Sequence, residues 1–212
     1  MSRYQYRDRL QRKAREQGLA SRAAFKLEEL IARFKLVRAG DRVIDLGCAP
    51  GGWLAILAAA VGGSGRVVGV DLATCNLAAP NLVTIGGDIR DPSVCRAATD
   101  ALGSAADLVT SDLAPKLSGI AERDQARSFE LVDAAREFAA SVLKPGGAMV
   151  AKIFMGADFA QIRAIFEADF AHTDVVRTRA SRPGSSELYI VARGFRPPHS
   201  HRQMASGEPS KP

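Results

Sequence analysis

The stretch "DLGCAPGGW", residues 45–53, lies between two apolar runs, "RVIDLG" (42–47) and "WLAILAAAV" (53–61). The first run predicts a buried strand and the second a helix. A strand, a glycine-rich turn and a helix in that order form a cofactor loop at the edge of an α/β sheet. The dinucleotide fingerprint would need glycines at 47, 49 and 52, but position 49 is alanine and position 50 is proline. The pyrophosphate-cradling spacing is therefore absent, and the expected ligand is not NAD.

The chain has 212 residues, 47% of them hydrophobic and 25% charged, enough for one full core and a single-domain expectation. Cys48, Cys75 and Cys95 stand far apart without a CxxC pair, which argues against a zinc site and against a disulfide framework. A reducing cytoplasm is the expected compartment. The charged opening "MSRYQYRDRLQRKAREQG" has no apolar signal core, and the run at 53–61 is too short to span a bilayer, so no membrane association is expected.

The net charge of +6 is concentrated at one end. Residues 1–38 hold eleven Lys or Arg against four acids, a local +7 that leaves −1 for the rest of the chain. Such a block is the footprint of a nucleic-acid binder, with a solvated charged helix as the plainer alternative. Tyr4 and Tyr6 alternate with Arg3 and Arg7, and aromatics interleaved with arginine suit bases and phosphates together.

Beyond this arm, "SRAAFKLEELIARFK" (21–35) opens with Ser21 as an N-cap candidate and carries Phe25, Leu27, Leu30, Ile31 and Phe34 at roughly helical spacing. Strands are expected near 42–47, 66–71, 82–86, 107–112, 147–154, 173–178 and 187–195. A clear helix is expected over 126–143, stopped by "KPGG" (144–147). Alternating strands and helices imply a mostly parallel sheet covered on both faces. The Pro- and Ser-rich end, 197–212, has little to bury and is expected to be a disordered tail.

In an open parallel sheet, ligands sit beyond the carboxyl ends of the strands. Asp45, Asp71 and Asp88 end the first three strands, and Asp71, 24 residues beyond Gly47, is placed to accept from a ribose diol. Each is also an acceptable turn or N-cap residue. Asp112 follows an apolar run, and Lys152 lies inside one, "AMVAKIF", where a lysine needs a cleft or an acid. Glu187 begins the last strand; if that strand is antiparallel, its start shares an edge with the parallel strands' ends. Two acids and a lysine then converge on one rim, as a site or as a buried structural ion pair.

"SRAAFKL", "DLGCAPGGW", "GVDL", "GDIRD", "SDLAP", "LKPGG" and "SSELYIVARGF" follow the order and spacing of a known family. Over roughly residues 20–196 the chain resembles the FtsJ-type ribosomal RNA ribose 2'-O-methyltransferases, also called RrmJ or RlmE. That resemblance implies a single Rossmann-like class I methyltransferase domain (21–196), preceded by a basic arm (1–20). The sheet would have seven strands, mostly parallel with an antiparallel last strand.

The same resemblance implies a catalytic tetrad at Lys26, Asp112, Lys152 and Glu187, with Lys152 as base or polarising group. S-adenosylmethionine would be held by Gly47, Gly51, Gly52, Trp53, Asp71, Asp88 and Asp112, with no metal. Asp71 would take the ribose hydroxyls, Asp88 the adenine amine, and Trp53 would lie against the cofactor. Composition alone makes Lys26 a solvated charge on the polar face of its helix; only the resemblance moves it into the site. Cys48 replaces the more usual alanine, and "GLA" before "SRAAFKL" lacks the Tyr-Arg often found there. The implied substrate is a uridine of large-subunit ribosomal RNA, modified by a monomer. Transfer RNA or another RNA remains open, as does a catalytically inactive RNA-binding assembly protein.

Overall fold

The computed structural model describes residues 22–116, 118–181 and 184–197. The expected arm (1–20), the Ser21 cap and almost all of the expected tail (197–212) lie outside these residues. The chain runs α1 (Arg22–Phe34), β1 (Arg42–Leu46), α2 (Gly52–Val61), β2 (Arg66–Asp71), β3 (Leu82–Gly86), α3 (Pro92–Leu102) and β4 (Ala106–Ser111). It continues through α4 (Ala121–Val142), β5 (Leu143–Phe154), α5 (Phe159–Asp169), β6 (Phe170–Val176) and β7 (Glu187–Phe195). Among the described residues, no helix is long and apolar enough to cross a membrane.

The seven strands form one sheet in the order β3-β2-β1-β4-β5-β7-β6. Pairs among β1 to β5 are parallel, whereas β7 runs antiparallel to both β5 and β6. The expected sheet, with its antiparallel last strand, is the one observed. Because β7 is inserted between β5 and β6, Lys152 lies opposite Tyr189 and Phe154 opposite Glu187. The start of β7 thus meets the ends of the parallel strands, as the position of Glu187 required.

Buried parallel strands are apolar on both faces, and β1 and β2 follow this: Val43 and Ile44, or Val67 and Val68, point to opposite sides and are all fully buried. One face packs α1 and α2 against Val43, Val150, Tyr189 and Val191. The other packs α3, α4 and α5 against Ile44, Val109, Met149 and Ile190. In α1, Leu27 and Leu30 are fully buried, each contributing about 1.5–3 kcal/mol of burial. Phe25, expected with them on the apolar face, is instead 60% exposed. Two residues at 100° per residue place it on the side of the helix opposite Leu27.

Three boundaries differ from expectation. The helix expected over 126–143 begins five residues earlier, at Ala121. Its entry is held by Asp124, whose carboxylate accepts from the Ser118 and Gly119 N–H groups at 2.7 and 3.0 Å. The strand expected from 147 begins at Leu143, because Leu143 already pairs with Ala106 and "KPGG" is taken up as a bulge, with Gly146 at φ 79°, before Ala148 pairs with Leu108. The strand expected at 173–178 is β6, three residues earlier at its start, with Phe170 buried at the end of α5.

Candidate active site

The sheet order reverses direction between β1 and β4, and ligand clefts form at such switch points. The turn after β1 lies there. Gly47 and Gly51 have φ of 77° and 113°, a region that favours glycine, and the Ala49–Pro50 peptide is cis. A Cβ at Gly47 would lie 2.9 Å from the Leu113 side chain, so the turn approaches the end of β4 more closely than any other residue permits. Gly51 and Gly52 shape the start of α2.

Asp71, at the end of β2, fastens this turn. Its Oδ2 accepts from the Ala49 N–H at 2.9 Å and its Oδ1 from the Ala73 N–H at 2.8 Å. Asp71 also lines a cavity of about 270 Å³, together with Gly47, Asp88 and Asp112 among others. Arg90 also lines it, but its guanidinium is bound to both oxygens of Asp88 and holds that carboxyl down at about 2. Three carboxylates and one committed cation leave no receptor for a phosphate. They suit a ligand bearing a positive sulfonium, an ammonium and a ribose diol. S-adenosylmethionine fits that donor set: Asp71 would take the ribose and Asp112 the positive end. Leu72, 79% exposed, and Ile89 add the apolar part of the wall. Sequence reasoning missed both, although each directly follows one of the expected acids.

Asp45 is different. It is 1% exposed, accepts from Thr110 Oγ1 at 2.7 Å, and its Oδ2 has no partner among the described residues. Burial above all, with Asp112 and Asp71 adding to it, pushes its carboxyl up to about 8. It is a neutral acid beneath the turn and not a cavity wall. Cys48, also buried, has its thiol pushed far up by burial, so it is no nucleophile.

Asp112 lies one residue past β4. Lys152, in β5, donates to the Asp112 carbonyl at 2.7 Å and stands 3.2 Å from its Oδ1. The lysine side chain is 9% exposed and the aspartate 22%, so the pair opens into the cleft without being immersed in water. Tyr189 donates from its hydroxyl to Asp112 Oδ1 at 2.9 Å. Burial and the neighbouring Asp112 and Glu187 push that phenol far above its ordinary value, so it remains a donor. The Tyr189 ring also lies 5.8 Å from Lys26 Nζ, a cation–π contact.

Lys26 itself pairs with Glu187, both largely shielded, and Ser181 Oγ donates to the same carboxylate at 3.2 Å. Lys26 and Glu29 share one helical stripe, and Glu29 Oε2 accepts from the Arg179 N–H at 2.9 Å. The polar stripe of α1 therefore docks on the β6–β7 connection and is not a solvated face. Two ion pairs, Lys152–Asp112 and Lys26–Glu187, flank one tyrosine, which sequence reasoning had not singled out. Trp53 is turned into the core. It is 4% exposed, donates to the Ala23 carbonyl at 2.7 Å and packs 5.9 Å from the Tyr189 ring, outside the residues that line the cofactor cavity. Through this bond it braces α1 against α2.

The chain is similar to known proteins. Residues 19–195 match the family model for FtsJ-like methyltransferases. The ribosomal RNA large subunit methyltransferase E of Anaeromyxobacter dehalogenans is 46% identical over 198 residues, covering 91% of this chain and 73% of that protein. The protein of the same name from Myxococcus xanthus is 43% identical, covering 93% of each chain. Among solved structures, a Plasmodium falciparum protein described as a ribosomal RNA methyltransferase superposes with a TM-score of 0.73 at 22% identity, over 82% of this chain and 97% of that one. Aeropyrum pernix fibrillarin, solved with natively bound S-adenosylmethionine, superposes at 0.50 with 20% identity, over 74% and 68%. At these identities the two structures speak for the fold alone. The family match and the close relatives go further, and by them the chain belongs to the FtsJ-like methyltransferases, enzymes that use S-adenosylmethionine.

Proposed function

We propose that the protein methylates a ribose 2'-hydroxyl, on a uridine of large-subunit ribosomal RNA, with Lys26, Asp112, Lys152 and Glu187 as the catalytic set. The observation that carries this reading is Lys152 in an apolar strand, held by both the carbonyl and the carboxylate of Asp112 beside the cofactor cavity. The names of the relatives support the RNA; the tetrad supports the hydroxyl acceptor. Residues 21–196 would be the catalytic unit and 1–20 an RNA-binding arm, acting as a monomer in the cytoplasm.

When bound, S-adenosylmethionine supplies an electrophilic methyl group: its carbon–sulfur bond breaks as the bond to the 2'-oxygen forms, and the electron pair stays on sulfur. The chain's task is to present that oxygen in line and to manage its proton. Lys152 polarises the hydroxyl or takes its proton, and Asp112 fixes where the amine points. Tyr189 holds Asp112 through its hydroxyl and Lys26 through its ring, so both ion pairs are aligned before the acceptor arrives. Glu187 restrains Lys26 on the acceptor side of the rim.

The test is 2'-O-methyl mapping of ribosomal RNA from cells with and without the gene, followed by transfer from labelled S-adenosylmethionine to the unmodified large subunit by the purified protein. The expected result is the loss and restoration of one uridine modification. An unaltered ribosomal map with no transfer in vitro would overturn the substrate assignment.

A further inference from the structure

The connection 112–115 runs between two cavities. Asp112, Leu113 and Ala114 line the cofactor cavity, whereas Pro115 lines a second one of about 350 Å³. The second cavity is walled by the end of β5, the start of β7 and the first turns of α4 and α5. Phe154 is in that wall, two residues beyond Lys152 on the same strand and opposite Glu187, which places it about 7 Å from the lysine along the strand. A nucleotide whose 2'-oxygen meets Lys152 carries its own base within that span.

The chemistry of the wall favours a base over the other parts of an RNA chain. Phe154, Phe129 and the half-exposed Met155 supply apolar and aromatic surface for stacking. Gln125 Oε1 accepts from the Asp158 and Ala157 N–H groups at 3.0 and 2.5 Å when its amide takes the orientation that satisfies both. Its NH2 is then the group left to donate, alongside the Ser128 and Ser186 hydroxyls in the same wall. Base edges present acceptors to such donors. Among the described residues, two carboxylates, Asp124 and Asp158, and no lysine or arginine line this cavity, so a phosphate is disfavoured while a neutral ring is not.

We infer that this cavity receives the base of the acceptor nucleotide, turned out of its stack so that the ribose lies over Lys152. This rests on the proposed ribose 2'-O-transfer to RNA and adds the subsite that sets which nucleotide is presented. The experiment uses an RNA spanning the mapped position, the same RNA with that nucleotide abasic, and the Ser128→Phe variant, which fills the cavity.

The unmodified protein should lose roughly tenfold or more in kcat/KM on the abasic RNA. Ser128→Phe should lose a similar factor on the intact RNA, with its S-adenosylmethionine Kd unchanged, and should lose little more on the abasic one. Equal rates on intact and abasic RNA by the unmodified protein would overturn the subsite without any variant. So would a Ser128→Phe loss of the same size on both RNAs. No transfer to any ribosomal RNA by the unmodified protein would instead overturn the reaction itself, and the subsite with it.

Discussion

Asp45 sits at the end of β1 where a cofactor ligand is expected, yet its carboxyl is buried and pushed up to about 8. An unfolded aspartate has its ordinary value near 3.8. Between those two values the folded state holds a proton that the unfolded chain has released. Stability therefore falls as pH rises from about 4 to about 8, and is insensitive to this group below that window. Asp45→Asn keeps the acceptor for Thr110 and removes the titration. Its melting temperature should match the parent near pH 4.5 and exceed it by roughly ten degrees near pH 8, for a gain on the order of 4 kcal/mol. A constant offset across that range would show that the carboxyl is already ionised when folded. Lys152 makes the complementary case. Lys152→Ala should lower methyl transfer by roughly a hundredfold or more while S-adenosylmethionine still binds, since Asp112 keeps its Tyr189 donor. Wild-type rates in this variant would remove the lysine from the mechanism.

At the scale of elements, the glycine turn is a joint between β1, β2 and β4, and Asp71 is its clasp. Asp71→Ala deletes two acceptors of backbone N–H groups as well as the partner proposed for a ribose diol. The S-adenosylmethionine Kd should rise roughly tenfold or more, and stability should drop by about 1–3 kcal/mol. A lower melting temperature with an unchanged Kd by calorimetry would make Asp71 a turn residue alone. The turn was legible because its signal is local: an apolar strand, glycines with positive φ, an apolar helix. The strands were legible because a parallel sheet buries both faces of each one. What escaped detection depends on distant contacts. "KPGG" reads as a break, but pairing of Leu143 with the start of β4 draws it into β5 as a bulge. The first turn of α4 is polar and exposed, so no periodicity marks it, and its anchor, Asp124, acts through main-chain groups of the preceding loop. Lys26 resembles a solvated charge until the β6–β7 connection, some 150 residues away, folds over it. Trp53 also bonds an α1 carbonyl, a partner that no local pattern marks.

Across the whole molecule, charge and chemistry occupy different parts of the chain. Residues 1–20 carry a local +4 and the domain at 21–196 only +1, so the catalytic domain alone has little general attraction for RNA. α1 begins at Arg22, about one helical turn before Lys26, which is paired with Glu187 on the catalytic rim. The start of α1, where the preceding segment joins the domain, is therefore close to the Lys26–Glu187 pair. Residues 1–15 hold six basic side chains, Arg3, Arg7, Arg9, Arg12, Lys13 and Arg15, against one acid, Asp8. The described walls of the cofactor cavity come from Gly47 onward, so deleting residues 1–15 should leave the S-adenosylmethionine Kd unchanged. If three or four of the six meet phosphates, the log–log salt slope of RNA binding should flatten by roughly 2 to 4 units, at 0.7–0.9 per contact. The kcat at saturating RNA should hold while KM rises, because phosphate contacts of this kind position the chain without touching the reacting oxygen. RNA affinity and salt dependence identical to those of the full chain would show that the basic segment serves only solubility, and that the neutral rim binds RNA by shape and base contacts alone.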